Sequence, residues 1–275
     1  LIDTHCHIVY GIDDGSDSAE ESLEMARIAV EAGITDIIAT PHCIRGMFEN
    51  FVGRGYEEAF EKLETLLLQS SGIGELLKIH RGMEAFADAD TLSDFDRGLL
   101  ARMAGSDYLM IECDFGEDPR VFRSILRGLI ERSVKPIIAH PERYYFAQDS
   151  LGYLFDYVDM GCVLQLDTES ITGGFGRECR YTAFALLESG AAQLAGSDAH
   201  DSLERRPDMR MAADIVANDF SHSYAELLFD VNPKRIIENK PLLFRQHRSP
   251  SPERRKPRTG RRKEGFMSDE EYWGI

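Results

Sequence analysis

Pro119-Arg-Val-Phe122-Arg-Ser-Ile125-Leu126-Arg-Gly-Leu129-Ile130, followed by Val134-Lys-Pro-Ile-Ile-Ala139-His140-Pro-Glu-Arg143, sets two periods side by side. Phe122, Ile125, Leu126 and Leu129 recur at the three-and-four spacing of one helix face. Val134–Ala139 is a short, nearly continuous apolar run of strand length. A strand that is apolar on both faces is covered on both sides, which predicts a parallel sheet fed by helical crossovers. The run then ends on a histidine.

The same unit recurs along the chain. Ile2–His7, Thr35–Thr40, Leu77–Met83, Asp107–Ile111, Cys162–Leu166 and Ala192–Ala195 are the other β-prone segments. Ser18-Ala-Glu-Glu21 reads as a capping box before Leu23, Ala26, Ala29 and Val30 on one helix face. Tyr56–Leu68, Asp149–Asp159 and Tyr181–Ser189 read as further helices, and Gly33, Gly161 and Gly190 sit where helices should end. Seven βα units predict an α/β barrel closely related to the eight-stranded TIM barrel, a single domain over residues 1–244.

Composition narrows the function. Residues 245–275 hold nine Lys or Arg against five Asp or Glu, a net of +4. The whole chain carries −17, so residues 1–244 carry −21, a field that repels nucleic acid. Arg245–Lys263 has almost no apolar residues and is expected to be disordered, which makes 245–275 a basic tail. No apolar run approaches the ~20 residues of a membrane span, so no membrane insertion is expected. Leu1–His5 has neither the basic start nor the apolar stretch of a signal peptide. Five cysteines with no CxxC pair read as reduced thiols of a cytoplasmic protein. None has an Arg six residues later, which speaks against a cysteine-based phosphatase loop.

The chemistry sits where the strands end. His5 and His7 close the first, His42 the second, Glu84 the third, Glu112 the fourth, His140 the fifth, and Asp198 with His200 the seventh. In βα barrels that rim is where active sites assemble. His5 and His7 are two apart on a strand and face the same way, as do Asp198 and His200. Asp14 or its neighbour Asp13 adds a carboxylate from the following loop. Nine His, Asp and Glu candidates exceed the needs of one ion, so two or three divalent ions are expected. The donor types suit Mn, Zn or Fe. Asp3 is a candidate to orient a ligand imidazole, and His80 reads as structural. Arg143 and Arg206 stand beside the cluster as candidate phosphate-binding groups.

These motifs resemble the PHP (polymerase and histidinol phosphatase) superfamily, and within it the CpsB/CapC-type bacterial protein-tyrosine phosphatases. The resemblance rests on Ile2-Asp-Thr-His5-Cys-His7, Gly11-Ile-Asp-Asp14-Gly, Ile38-Ala-Thr-Pro-His42, Gly82-Met-Glu84, Leu109-Met-Ile-Glu112, Ile138-Ala-His140-Pro-Glu-Arg143 and Gly196-Ser-Asp198-Ala-His200, in family order. It implies a distorted seven-stranded (β/α)7 barrel, the PHP fold, with a trinuclear site usually assigned to manganese. His5, His7, Glu84 and Asp198 would hold one ion, Glu84, Glu112 and His140 a second, and Asp14, His42 and His200 a third. The implied substrate is phosphotyrosine on a bacterial tyrosine autokinase that controls capsular or extracellular polysaccharide, with room for a homo-oligomer. Arg143 and Arg206 would hold phosphate oxygens, and His42 or Asp198 is a candidate acid for the leaving group. Two loops depart from the family pattern: acidic Cys113–Asp118, and Cys43-Ile-Arg45 after His42. Histidinol phosphate or another small phosphomonoester is the rival substrate, Mg a rival ion, and an inactive metal-binding scaffold the rival role.

Overall fold

The computed structural model describes residues 1–70 and 72–245. The tail expected over 245–275 lies outside the described residues except for Arg245, whose guanidinium stacks over Tyr224.

Nine strands are present among the described residues: β1 (Ile2–Cys6), β2 (Asp36–Ala39), β3 (His42–Cys43), β4 (Lys78–Arg81), β5 (Glu84–Phe86), β6 (Tyr108–Glu112), β7 (Lys135–Ala139), β8 (Val163–Asp167) and β9 (Leu194–Gly196). Every paired neighbour is parallel, in two sheets ordered β1-β2-β4 and β3-β5-β6-β7-β8-β9. The nine strands fall on the seven expected staves because two staves are broken. The second breaks at Thr40-Pro41, where proline has no N–H for the ladder. The third breaks at Gly82-Met83 and then continues past the expected end at Met83 through Phe86. A Cβ on Gly82 would lie 2.8 Å from Ile38 and 3.0 Å from the Ala39 carbonyl, so the backbones pass closely there. β1 meets the segment just after β9 through the Cys6–Ala199 bridge, and the Asp198 amide donates to the His5 carbonyl at 2.8 Å. This topology fits a distorted barrel.

The period of two explains both the core and the site. Ile38, Met110, Ile137, Val163 and Leu194 form one buried cluster with Met103, Tyr108, Ile236 and Leu242. Ile37, Leu109, Ile111, Ile138, Leu164 and Ala195, on the other face of the same strands, pack in the larger cluster that takes in the helices. Following the first face up the strands, Met110 gives way to Glu112 and Val163 to Gln165 and Asp167, while β1 is polar along this face at Asp3, His5 and His7. All of these are buried.

The helices fit their sequence signals with small shifts. Ser18 caps the helix Ala19–Glu31 by accepting from the Glu21 amide. Glu21 does not return the bond; its carboxylate takes the Ser202 amide at 2.6 Å and steadies the loop after His200. The expected Tyr181–Ser189 helix starts earlier, at Gly176. Gly161 and Gly190 cap their helices at φ +105° and +74°. No helix among the described residues is long and apolar enough to cross a membrane.

Candidate metal centre

The rim brings all nine predicted His, Asp and Glu residues into one cluster. His5 Nε2 lies 3.1 Å from His7 Nε2, 2.9 Å from Glu84 Oε2 and 3.2 Å from Asp198 Oδ1. His7 Nε2 lies 3.3 and 3.4 Å from the same two oxygens. His42 Nδ1 faces Glu112 Oε1 at 3.0 Å and Glu84 Oε2 at 3.2 Å. His140 Nε2 meets Glu84 Oε1 at 2.9 Å and lies 3.7 Å from Glu112 Oε2. Asp14 Oδ1 sits 3.6 Å from His42 Nε2 and 3.7 Å from His200 Nε2.

Three overlapping groups could each hold an ion: His5, His7, Glu84 and Asp198; His42, Glu84 and Glu112; and His7, Asp14, His42 and His200. The first is the set expected from the resemblance. The second has His42 beside Glu84 and Glu112, with His140 also on Glu84. The third adds His7 to the expected three.

The chemistry of these donors fits divalent ions. Bonds of about 2.1 Å space neighbouring ligands roughly 3.0 Å apart in an octahedron and 3.4 Å in a tetrahedron. The 2.9–3.4 Å separations within the first group match those edges. Asp14 Oδ1 is buried and makes no hydrogen bond, which leaves an acceptor in need of a cation.

Neighbouring groups aim the imidazoles. His7 Nδ1 meets Asp13 Oδ2 at 2.9 Å, His200 Nδ1 meets the Asp198 carbonyl at 2.9 Å, and His5 Nδ1 meets Gln165 Oε1 at 3.2 Å. Each partner is an acceptor, so the proton belongs on Nδ1 and the Nε2 lone pair faces the cluster. Asp13 thus serves behind His7, and Asp14 is the loop carboxylate that points in. Asp3 does not reach an imidazole: it accepts from Ser197 and from the His5 backbone amide. Gln165 holds the orienting place expected of Asp3. His80 pairs with Asp36 at 2.8 Å, away from the cluster.

Burial and charge pull against each other. Burial pushes Glu112 up to about 7, with Glu84 beside it adding to the rise. His42 is driven down by burial, but Glu84 and Glu112 outweigh this and lift it to about 9. His140 falls to about 4 through burial. Burial also opposes the charge on Asp198, yet Arg205, His5 and His7 hold it well below the usual carboxylate range. His42 presents both ring nitrogens to carboxylates, which is a ligand's position. His140 and Asp198 both take positive φ, +32° and +52°, a strained backbone for such residues that recurs at functional sites.

The two candidate arginines lie in different places. Arg143 stands beside the cluster, donating to Asp198 Oδ2 at 3.1 Å. The second guanidinium on that oxygen belongs to Arg205 and not to Arg206. Arg206 is exposed and lines a separate groove with Glu169, Asp208 and Arg210. The loop geometry decides between them: the His200 amide donates to the Arg205 carbonyl at 2.9 Å, which folds the loop back onto the cluster at that residue.

The two departing loops are also resolved. In Cys113–Asp118, Asp114 takes the Gly116 amide and Asp118 caps the helix Pro119–Glu131, so these acids serve local structure. Arg45 turns to Asp88, Asp90 and Asp94, whereas Phe48 stacks on His42 with centroids 6.0 Å apart.

Comparison with known proteins agrees with this geometry. The family model for "Capsular polysaccharide synthesis, CpsB/CapC" matches residues 1–238. Tyrosine-protein phosphatase YwqE of Bacillus subtilis is 29% identical over 91% of this chain and 96% of its own. The putative tyrosine-protein phosphatase CapC of Staphylococcus aureus is 31% identical over 76% and 80%. A crystal structure from the work on YwqE and Streptococcus pneumoniae CpsB, described as unique metal-dependent tyrosine phosphatases, superposes with a TM-score of 0.84. It is 28% identical and covers 90% of this chain and 98% of that one.

Proposed function

Since the chain belongs to the CpsB/CapC family of capsular polysaccharide synthesis proteins, we propose that it is a metal-dependent protein-tyrosine phosphatase. The observation that carries this reading is the convergence of three ion-sized donor groups with two guanidiniums at one barrel rim. His5, His7, Asp14, His42, Glu84, Glu112, His140, Asp198 and His200 would hold two to three divalent ions, manganese first among them. The seven staves are read as a closed barrel over residues 1–244, with the basic tail as a separate segment. The protein partner is a bacterial tyrosine kinase acting in capsular or extracellular polysaccharide synthesis, inside the cytoplasm.

Bound divalent ions supply Lewis acidity toward phosphoryl oxygens and a nucleophilic water at neutral pH. The chain's own residues do the rest. Arg143 and Arg205 donate to phosphate oxygens as charge develops in the transition state. Asp13, Gln165 and the Asp198 carbonyl keep three imidazoles turned inward. A tyrosine phenolate, with a parent pKa of about 10, leaves more readily than an alkoxide, which lightens the demand for a proton donor.

Phosphate release from a phosphotyrosine peptide by metal-stripped protein, with Mn, Zn or Mg restored, tests the reading. Activity that returns with metal and exceeds that on histidinol phosphate is the expected result. No release with any metal, despite two or more equivalents bound, would overturn it.

A further inference from the structure

The loop Gly173-Gly174-Phe175-Gly176 contributes no donor to the metal centre. It joins the helices Thr168–Thr172 and Gly176–Ser189 above β8. Gly173 and Gly176 take φ of +102° and +87°, where a side chain would be strained, and a Cβ on Gly174 would stand 2.2 Å from Glu169 Oε2. Three glycines therefore set the path of one large ring, Phe175, left half-buried at the rim. That ring faces two cations: Arg143 Cζ lies 4.4 Å from its centroid and Arg205 Cζ 5.6 Å. Phe115, from the loop after β6, lies 4.7 Å from Arg143 Cζ. Arg143 follows β7, so the staves on either side each supply it with a ring.

A guanidinium grips phosphate through its in-plane N–H edges, and an aromatic ring engages its face. Rings against Arg143 therefore restrict its rotation while leaving edges for a ligand. The need is real here, because Arg143 and Arg205 converge on one oxygen, Asp198 Oδ2. The negative face of one shared ring offsets part of their mutual repulsion. Burial opposes the charge on Arg143, but Asp198, Asp167 and Glu142 outweigh it and keep its pKa above the ordinary guanidinium value.

We propose that Phe175 is a positioning residue whose ring presents Arg143 and Arg205 edge-on to the phosphoryl oxygens of the substrate, with Phe115 bracing Arg143. This deepens the phosphatase reading and rests on it. The test uses the metal-loaded full chain, with inorganic phosphate binding by calorimetry and steady-state kinetics on p-nitrophenyl phosphate. Phe175→Leu, which keeps apolar bulk without a π face, should weaken phosphate binding about tenfold and raise KM, and Phe175→Tyr should restore both to within about twofold. Phe115→Leu should lose less, since Phe115 meets Arg143 alone. Metal content should match wild type in all three. Wild-type phosphate affinity in Phe175→Leu would overturn the proposal, as would an equal loss in Phe175→Tyr or a drop in bound metal. The calorimetric readout needs no turnover, so a chain whose phosphate affinity depends on Phe175 but which hydrolyses no aryl phosphate would refute the phosphatase reading alone.

Discussion

His5 Nδ1 on β1 and the Gln165 side-chain oxygen on β8 lie 3.2 Å apart across the intervening β9, both residues fully buried. Gln165 can accept there only if His5 carries its proton on Nδ1, and that tautomer points the Nε2 lone pair at Glu84, His7 and Asp198. Gly196 makes room for the pair: a Cβ on it would stand 2.2 Å from Gln165 Nε2 and 2.7 Å from His5 Cβ. Gln165→Ala should therefore leave every ligand in place yet lower metal affinity by about 10- to 100-fold. Competition with a chelator of known affinity measures this, and an unchanged affinity would remove Gln165 from the site.

Gly15 ends the Asp13-Asp14-Gly15 turn pressed against His7. A Cβ there would lie 2.3 Å from the His7 carbonyl oxygen and 2.4 Å from His7 Cβ. The approach is fixed by the Ser16 amide on the His7 carbonyl, 3.0 Å, and by Asp13 on the His7 ring. Gly15→Ala forces the turn away, and with it both Asp13 and Asp14. A loss of about 1–3 kcal/mol in stability follows from such overpacking. Denaturant melts of the metal-free chain should show it, and the metal-loaded chain should hold less metal; a variant that melts with wild type would show that the turn can shift freely.

Most of the site was legible because the ligands close consecutive strands at a fixed parity. His5 and His7, or Asp198 and His200, can be read as pairs with no knowledge of which strands are neighbours. Gln165 and Asp167 were not legible for a related reason. The apolar part of the sixth segment ends at Leu166, short of Asp167, and an inward glutamine looks like any strand glutamine until the inward face is known. Arg205 and Arg206 are adjacent in sequence, so only the backbone bond from His200 to Arg205 tells which one turns in. The breaks at Pro41 and Gly82 were hidden too: each stave reads as one β-prone segment, although its pairing passes from one sheet to the other midway.

The cysteines should be silent. Burial pushes Cys162 up to about 12 and the half-buried Cys179 up to about 11, so neither supplies thiolate at neutral pH. Cys6, Cys43 and Cys113 are buried. Iodoacetamide at pH 7.5 should leave metal-dependent phosphate release within about 10% of the untreated chain, given how little thiolate burial allows. Rapid inactivation, protected by substrate, would point to covalent thiol chemistry and against a metal mechanism.

Arg205 and Arg206 offer the sharpest contrast, since neighbouring residues of one type should behave oppositely. Arg205 is half-buried and shares Asp198 Oδ2 with Arg143, so its removal leaves a buried carboxylate undercompensated and takes one donor from the phosphate side. Arg205→Ala should lower kcat/KM on a phosphotyrosine peptide by about 10²-fold, the scale of losing one transition-state donor. Arg205→Lys restores charge without the planar fork and should recover only part of it. Arg206→Ala, at an exposed position, should stay within about twofold of wild type, as surface ion pairs do. The reverse order, with Arg206 the costly loss, would mean that the loop after His200 rearranges when substrate binds, exchanging one guanidinium for the other.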